Sequence, residues 1–236
     1  MPPVHNYSNW NQRPTDATEQ IEPYRKYFFI CEGENTETWY FKSLINRRKE
    51  LGIHPLIDVC LLEKTGEDRS ISYPKQLLEF AEAQKLNEDI QFDKERDKMI
   101  IVFDGDIFET KVSNYSEILS LANANGTVVA VSNPAFELFL LLHYSDSYDE
   151  IIYPNAEMIL KNEKEGNQTY IYRLLREKSG MNSKKNQLIG ELAASIDIEI
   201  EQEKRINQDI TCCKGNITCN LGQIIEAIRK DDVPTK

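Results

Sequence analysis

Residues 99–108 read MIIVFDGDIF. Five apolar residues, most of them β-branched or aromatic, run without alternation, and Asp104, Gly105 and Asp106 follow. An apolar run of this kind is what a strand covered on both faces requires. In extended chain, residues i and i+2 project to the same side, so Asp104 and Asp106 leave the strand together at its carboxyl end. In open α/β sheets ligands bind at that end, and Gly105 leaves room for a close approach.

Working outward, the same pattern recurs. Apolar segments at residues 27–31 (YFFIC), 56–62 (LIDVCLL) and 127–131 (TVVAV) predict three more strands. Between them lie helical patterns. Thr36 is placed as a cap before Trp39, Tyr40, Phe41, Leu44 and Ile45, with Gly52 ending that stretch. A second helix is predicted over residues 73–86 and a third from Asn114. After the fourth strand, SNPAFELFLLLHY offers Asn133 as cap and Pro134 as first helical residue of a helix reaching His143. Strands alternating with helices predict an α/β fold with a mostly parallel sheet. Beyond Tyr144 strand signals stop, apart from the short EIIY at 150–153, and charged helical segments take over, the longest from about Asn186 to Asn207. The expected organisation is a flexible leader at 1–26, an α/β core at 27–144 and a C-terminal helical lobe at 145–236.

Composition narrows the classes. The chain has 236 residues, 40% hydrophobic and 28% charged, as in ordinary globular proteins. No apolar run approaches the roughly 20 residues of a membrane helix, and the polar N-terminus has no apolar signal core, which predicts a cytoplasmic protein with no membrane partner. The formal charge of −11 argues against non-specific duplex coating. It leaves room for an enzyme that meets phosphates through cations, because those cations neutralise the acids that hold them. Five cysteines at irregular spacing suit a reducing compartment, and CCKGNITC at 212–219 lacks the paired C-x-x-C spacing of a structural zinc site.

The first strand ends as the third does, with an acid: Glu32 and Gly33 follow YFFIC directly. If strands one and three are neighbours, Glu32 faces the aspartate pair. Three converging carboxylates repel one another, and a divalent cation removes that penalty. Oxygen ligands suit Mg2+ or Mn2+. The residues therefore predict a metal site of Asp104, Asp106 and Glu32.

A glutamate ending the first strand and a D-x-D ending a later one resemble the TOPRIM domain of topoisomerases, bacterial primases and small nucleases. That resemblance implies Glu32 as general acid or base, and Asp104 and Asp106 as Mg2+ ligands. The ordered set CEGENTETWYF, VFDGD and VSNPAFELFLLLHY resembles, more narrowly, the RloB-like family, with an echo in GNIT at 215–218. RloB-like genes lie beside restriction and other phage-defence genes, often near an ATPase. The resemblance thus implies a Mg2+-dependent nuclease in anti-phage defence, with a nucleic-acid substrate, an ATPase partner encoded nearby and room for a homo-oligomer. RNA, tRNA included, is preferred over DNA because an acidic surface disfavours long duplex contacts.

Glu37 and Glu137, each in the first turn of a helix at the same edge, join Glu32 as catalytic candidates, although a favourable charge at a helix N-terminus explains them too. Asn133 is explained by capping, and His143 by a satisfied core position. Lys64, Arg69, Arg173, Arg176, Lys184 and Lys185 are the candidate grip on a polyanion, with the cluster at 173–185 the densest. A haloacid-dehalogenase-type phosphatase would need Thr where Phe108 stands, and a receiver domain a later strand ending in Lys. A different class keeps the same acids: a non-catalytic metal- or nucleotide-binding regulatory subunit of an ATPase-containing defence complex.

Overall fold

The computed structural model describes residues 22–105 and 115–234. Four parallel strands, β1 (Arg25–Cys31), β2 (Ile57–Leu61), β3 (Lys98–Asp104) and β4 (Thr127–Asn133), form one sheet with a two-residue strand, β5 (Thr218–Cys219). The order is β2-β1-β3-β4-β5, with β5 antiparallel. The fold is α/β, as expected, and β1 and β3 are neighbours, with Cys31 opposite Val102.

Both faces of the strands are covered, which explains the missing alternation. Phe29, Cys31, Ile100, Val102 and Ala130 point into one apolar cluster, while Phe28, Ile30, Met99, Ile101, Phe103, Val129 and Val131 point into the other. The second cluster is closed by α2 (Pro74–Lys85) and α3 (Tyr115–Ala124) through Leu77, Leu78, Ala81, Tyr115 and Ala122. The first takes α1 (Thr36–Asn46) and the wholly buried α4 (Phe136–Leu141). It also takes Ile171 and Leu175 of α6 (Tyr170–Ser179), Ile196 and Ile200 of α7 (Ile196–Glu203), and Leu221, Ile225 and Ile228 of α8 (Leu221–Arg229). α5 (Ala156–Lys161) adds Ile159. The C-terminal helices therefore share the apolar cluster of one sheet face. Among the described residues, no helix is long and apolar enough to cross a membrane.

Several local readings change. Asn133 is the last residue of β4, not a helix cap, and a cis peptide joins it to Pro134. β5 is the reason: Ser132 pairs with Cys219 and Asn133 with Thr218, so the ladder carries the strand two residues past Val131. Ala135 then stands before α4. Thr36 is the first residue of α1, and its hydroxyl donates to Ser183 O at 3.0 Å instead of capping. EIIY lies in a wide helical turn (Tyr148–Ile152) that runs on into further turns at Tyr153. The long predicted helix splits into a tight 3-10 stretch (Gln187–Ser195) and α7.

Candidate active site

The carboxyl ends of β1 and β3 meet at one edge. The Glu32 N–H donates to Val102 O at 2.8 Å, which carries the β1–β3 ladder one residue beyond the strand. The N–H of Asp104 donates to Glu32 Oε2 at 3.2 Å. Asp104 Oδ1 accepts from the N–H of Phe136, in the first turn of α4, at 2.8 Å. The two acids are thus oriented by backbone donors. Asp106 lies outside the described residues.

Two more carboxylates come from helix starts. Glu37 stands in the first turn of α1, and its carboxylate folds over Gly33: a Cβ at Gly33 would lie 2.1 Å from each of its oxygens. The glycine after Glu32 is therefore needed for Glu37 to reach the edge. Burial, with Glu137 nearby, raises the Glu37 carboxyl to about 7, against the opposing pull of Lys184 and Lys64. Glu137, in the first turn of α4, is buried. Gly105 has a different role from the one expected. A Cβ there would lie 2.5 Å from Asn133 Oδ1, so the space is occupied by a side chain rather than kept for a ligand. Asn133 in turn donates to Cys213 O at 3.0 Å and Asn216 O at 2.7 Å, tying the GNIT segment to the tip of β4.

Cations reach the edge from both flanks. Lys64, just after β2, is 9% exposed and donates to the backbone oxygens of Glu32 and Ile71. Burial pulls its ammonium below the ordinary range, against Glu32, Glu34 and Glu37. A cavity of about 280 Å3 opens beside it, lined by Gly33, Asn35, Thr38 and Arg69 among others. From the other flank comes Lys184, which sits over the Tyr172 ring at 5.5 Å and acts on Glu37. The contact of Thr36 with Ser183 O holds that turn against α1.

The remaining basic candidates do not gather here. Arg173 pairs with Glu165 and stacks on Tyr170 at 5.4 Å, Arg176 is exposed on α6, and Lys185 is exposed beside Lys184. His143 is a core residue. Phe139 O can only accept, so Nδ1 carries the proton toward it at 2.9 Å, and Nε2 accepts from the Tyr40 hydroxyl at 2.9 Å. Burial lowers its pKa to about 3, which keeps it neutral.

The donors at this edge are all carboxylate oxygens, the hard set that suits Mg2+ or Mn2+. Among the described residues, however, the set with three ligand atoms within 4.8 Å of one another is Glu199, Glu203 and Cys219, not a set at this edge. Sequence spacing gave no signal for it, because its members come from a helix and a two-residue strand far apart in the chain.

Fold and edge together define an α/β protein with a carboxylate-rich site at the tips of parallel strands. The chain belongs to the RloB-like family: the family model described as RloB-like protein matches residues 27–228, from β1 into α8. No curated protein and no solved structure matches it.

Proposed function

We propose that this RloB-like chain is a metal-dependent nuclease of TOPRIM type, hydrolysing phosphodiester bonds in RNA in preference to DNA and acting in the cytoplasm in antiviral defence. The observation that carries the reading is the juxtaposition of Glu32 and Asp104 at adjacent parallel strand tips, joined through the Asp104 N–H, with Glu37 and Glu137 presented by two helix starts.

Asp104, Asp106 and Glu32 are the residues that would hold one or two Mg2+ ions. Mg2+ held there would supply Lewis-acid polarisation of a phosphate oxygen and offset developing charge. The chain's own groups carry the proton traffic. Water adds to phosphorus, the bond to the leaving oxygen breaks, and that oxygen takes up a proton. Glu32 activates the water or delivers the proton. Glu37, with a pKa of about 7, is poised to exchange protons at neutral pH. Lys64 and Arg69 on one flank and Lys184 on the other supply positive charge for neighbouring phosphates.

The test is cleavage of tRNA, single-stranded RNA, and single- and double-stranded DNA with Mg2+, Mn2+ or EDTA, using wild type, Glu32→Ala and Asp104→Ala. Metal-dependent cleavage lost in both folded variants is the expected result. Cleavage retained by folded Asp104→Ala would overturn the assignment.

A further inference from the structure

Away from the strand tips of β1 and β3, a second group of acids is sealed inside the protein. Glu199 and Glu203 lie one turn apart on α7, both 0% exposed, and Cys219 on β5 is equally buried. One ligand atom from each lies within 4.8 Å of the other two.

The two carboxylates are not equivalent. Glu203 is fully oriented: Oε2 accepts from the N–H of Gly222 at 2.7 Å, and Oε1 accepts from the N–H of Gln223 and from Gln208 Nε2, both at 2.8 Å. Three donors leave about one of its four acceptor positions open, on Oε2. With both glutamates ionised, neither oxygen of Glu199 has a hydrogen-bond partner among the described residues, and only a proton on Glu199 would bond it to Glu203. Gly222 is what admits it, since a Cβ there would lie 2.2 Å from Glu199 Oε2. A buried carboxyl with both oxygens orphaned calls for a ligand.

We propose that Glu199, Glu203 and Cys219 form a structural site for a borderline-soft divalent cation, Zn2+, distinct from the carboxylate edge. The donor set fits that ion: Zn2+ binds thiolate and carboxylate together, whereas Mg2+ takes oxygen only. The three ligands carry three negative charges when bound. The cation removes two, and the N–H groups at the start of α8 face the remainder. Those same N–H groups and Gln208 orient the Glu203 ligand as outer-shell partners do. A proton shared between the two glutamates is the rival arrangement. It would satisfy one Glu199 oxygen and leave the other without a partner, with the Cys219 thiol resting against Glu203 and the backbone of Leu221. The ion satisfies all three at once.

The site braces the active edge from behind. It ties α7 to β5 and to the start of α8, and Cys219 pairs with Ser132, which pairs with Asp104.

The experiment uses the full chain, purified without chelator or metal-affinity resin. Metal content is measured for wild type, Glu199→Gln, Cys219→Ser and Asp104→Ala, with thermal unfolding before and after added Zn2+. About one Zn2+ per chain is expected in wild type and in Asp104→Ala, with roughly tenfold or greater loss of affinity in the other two. Co2+ added to stripped wild type should give a thiolate charge-transfer absorption, a readout that does not depend on any variant folding. Glu199→Gln preserves shape and can still donate to Glu203. Wild type free of metal, indifferent to Zn2+ and no more stable than Glu199→Gln would overturn the proposal in favour of the shared proton.

Discussion

Two groups of carboxylates in this protein sit two strands apart and are built on opposite terms. At the tips of β1 and β3, Glu32 and Asp104 each accept from one backbone N–H, and cations stand on both flanks. Inside the α7–β5–α8 junction, Glu203 accepts from three donors while Glu199 accepts from none among the described residues. Beside the first group opens a cavity lined by Gly33, Lys64 and Arg69, and exposed Lys184 stands on its other flank, while the second is closed to solvent. An acid that must meet a changing substrate keeps positive charge nearby. An acid that holds structure spends its lone pairs on fixed partners, and an orphan among such groups points to something that completes it.

The comparison can be broken most forcefully at the edge. Glu32→Gln should lower cleavage by about 10²–10⁴-fold, the span of general acid–base catalysis, with no change in thermal unfolding. Equal loss of stability would turn Glu32 into a structural residue. In the sealed group the effect falls on folding instead. Glu203→Ala strands the N–H groups of Gly222 and Gln223, and should destabilise the chain by about 2–4 kcal/mol in denaturant titration.

A finer contrast comes from pH. His143 has a folded pKa of about 3 against 6.5 for a free imidazole. Between those values the unfolded chain binds the extra proton, so this group makes stability fall as pH falls below 6.5, by about 1.4 kcal/mol per unit. Glu37 has the opposite sign. Its folded pKa of about 7 lies above the ordinary carboxyl value of 4.5, so the folded chain holds the extra proton and stability falls as pH rises from 4.5 to 7. His143→Gln should remove the first slope and Glu37→Gln the second, each seen in urea midpoints across pH 4.5–7. The smallest effect is expected at Lys184. Lys184→Ala removes a cation that favours ionised Glu37, so the acid limb of the pH–rate profile should move upward, with stability changed by less than about 0.5 kcal/mol.

Much of this was readable in advance. Two-face burial of β1, β3 and β4 left continuous apolar runs, and the acids after the first two of these, Glu32 and Asp104, marked the edge. Other features were set by distant partners. Two residues of β5 are too few to leave a periodic signal, yet they extend β4 through Asn133 and displace the expected cap. Gly105 looked like space for a ligand, but Asn133 fills it. Lys184 read as one charge in a basic helical segment, and contacts distant in sequence, such as Thr36 with Ser183, hold its turn near Glu37. Glu199, Glu203 and Cys219 escape any local pattern because a helix and a strand bring them together.

The most direct test measures Mn2+ binding by electron paramagnetic resonance in wild type, Asp104→Asn and Glu199→Gln. Binding should be lost in folded Asp104→Asn and kept in Glu199→Gln, because a hard cation belongs to the edge and not to the thiol-containing group. Mn2+ binding that ignores Asp104→Asn would contradict it.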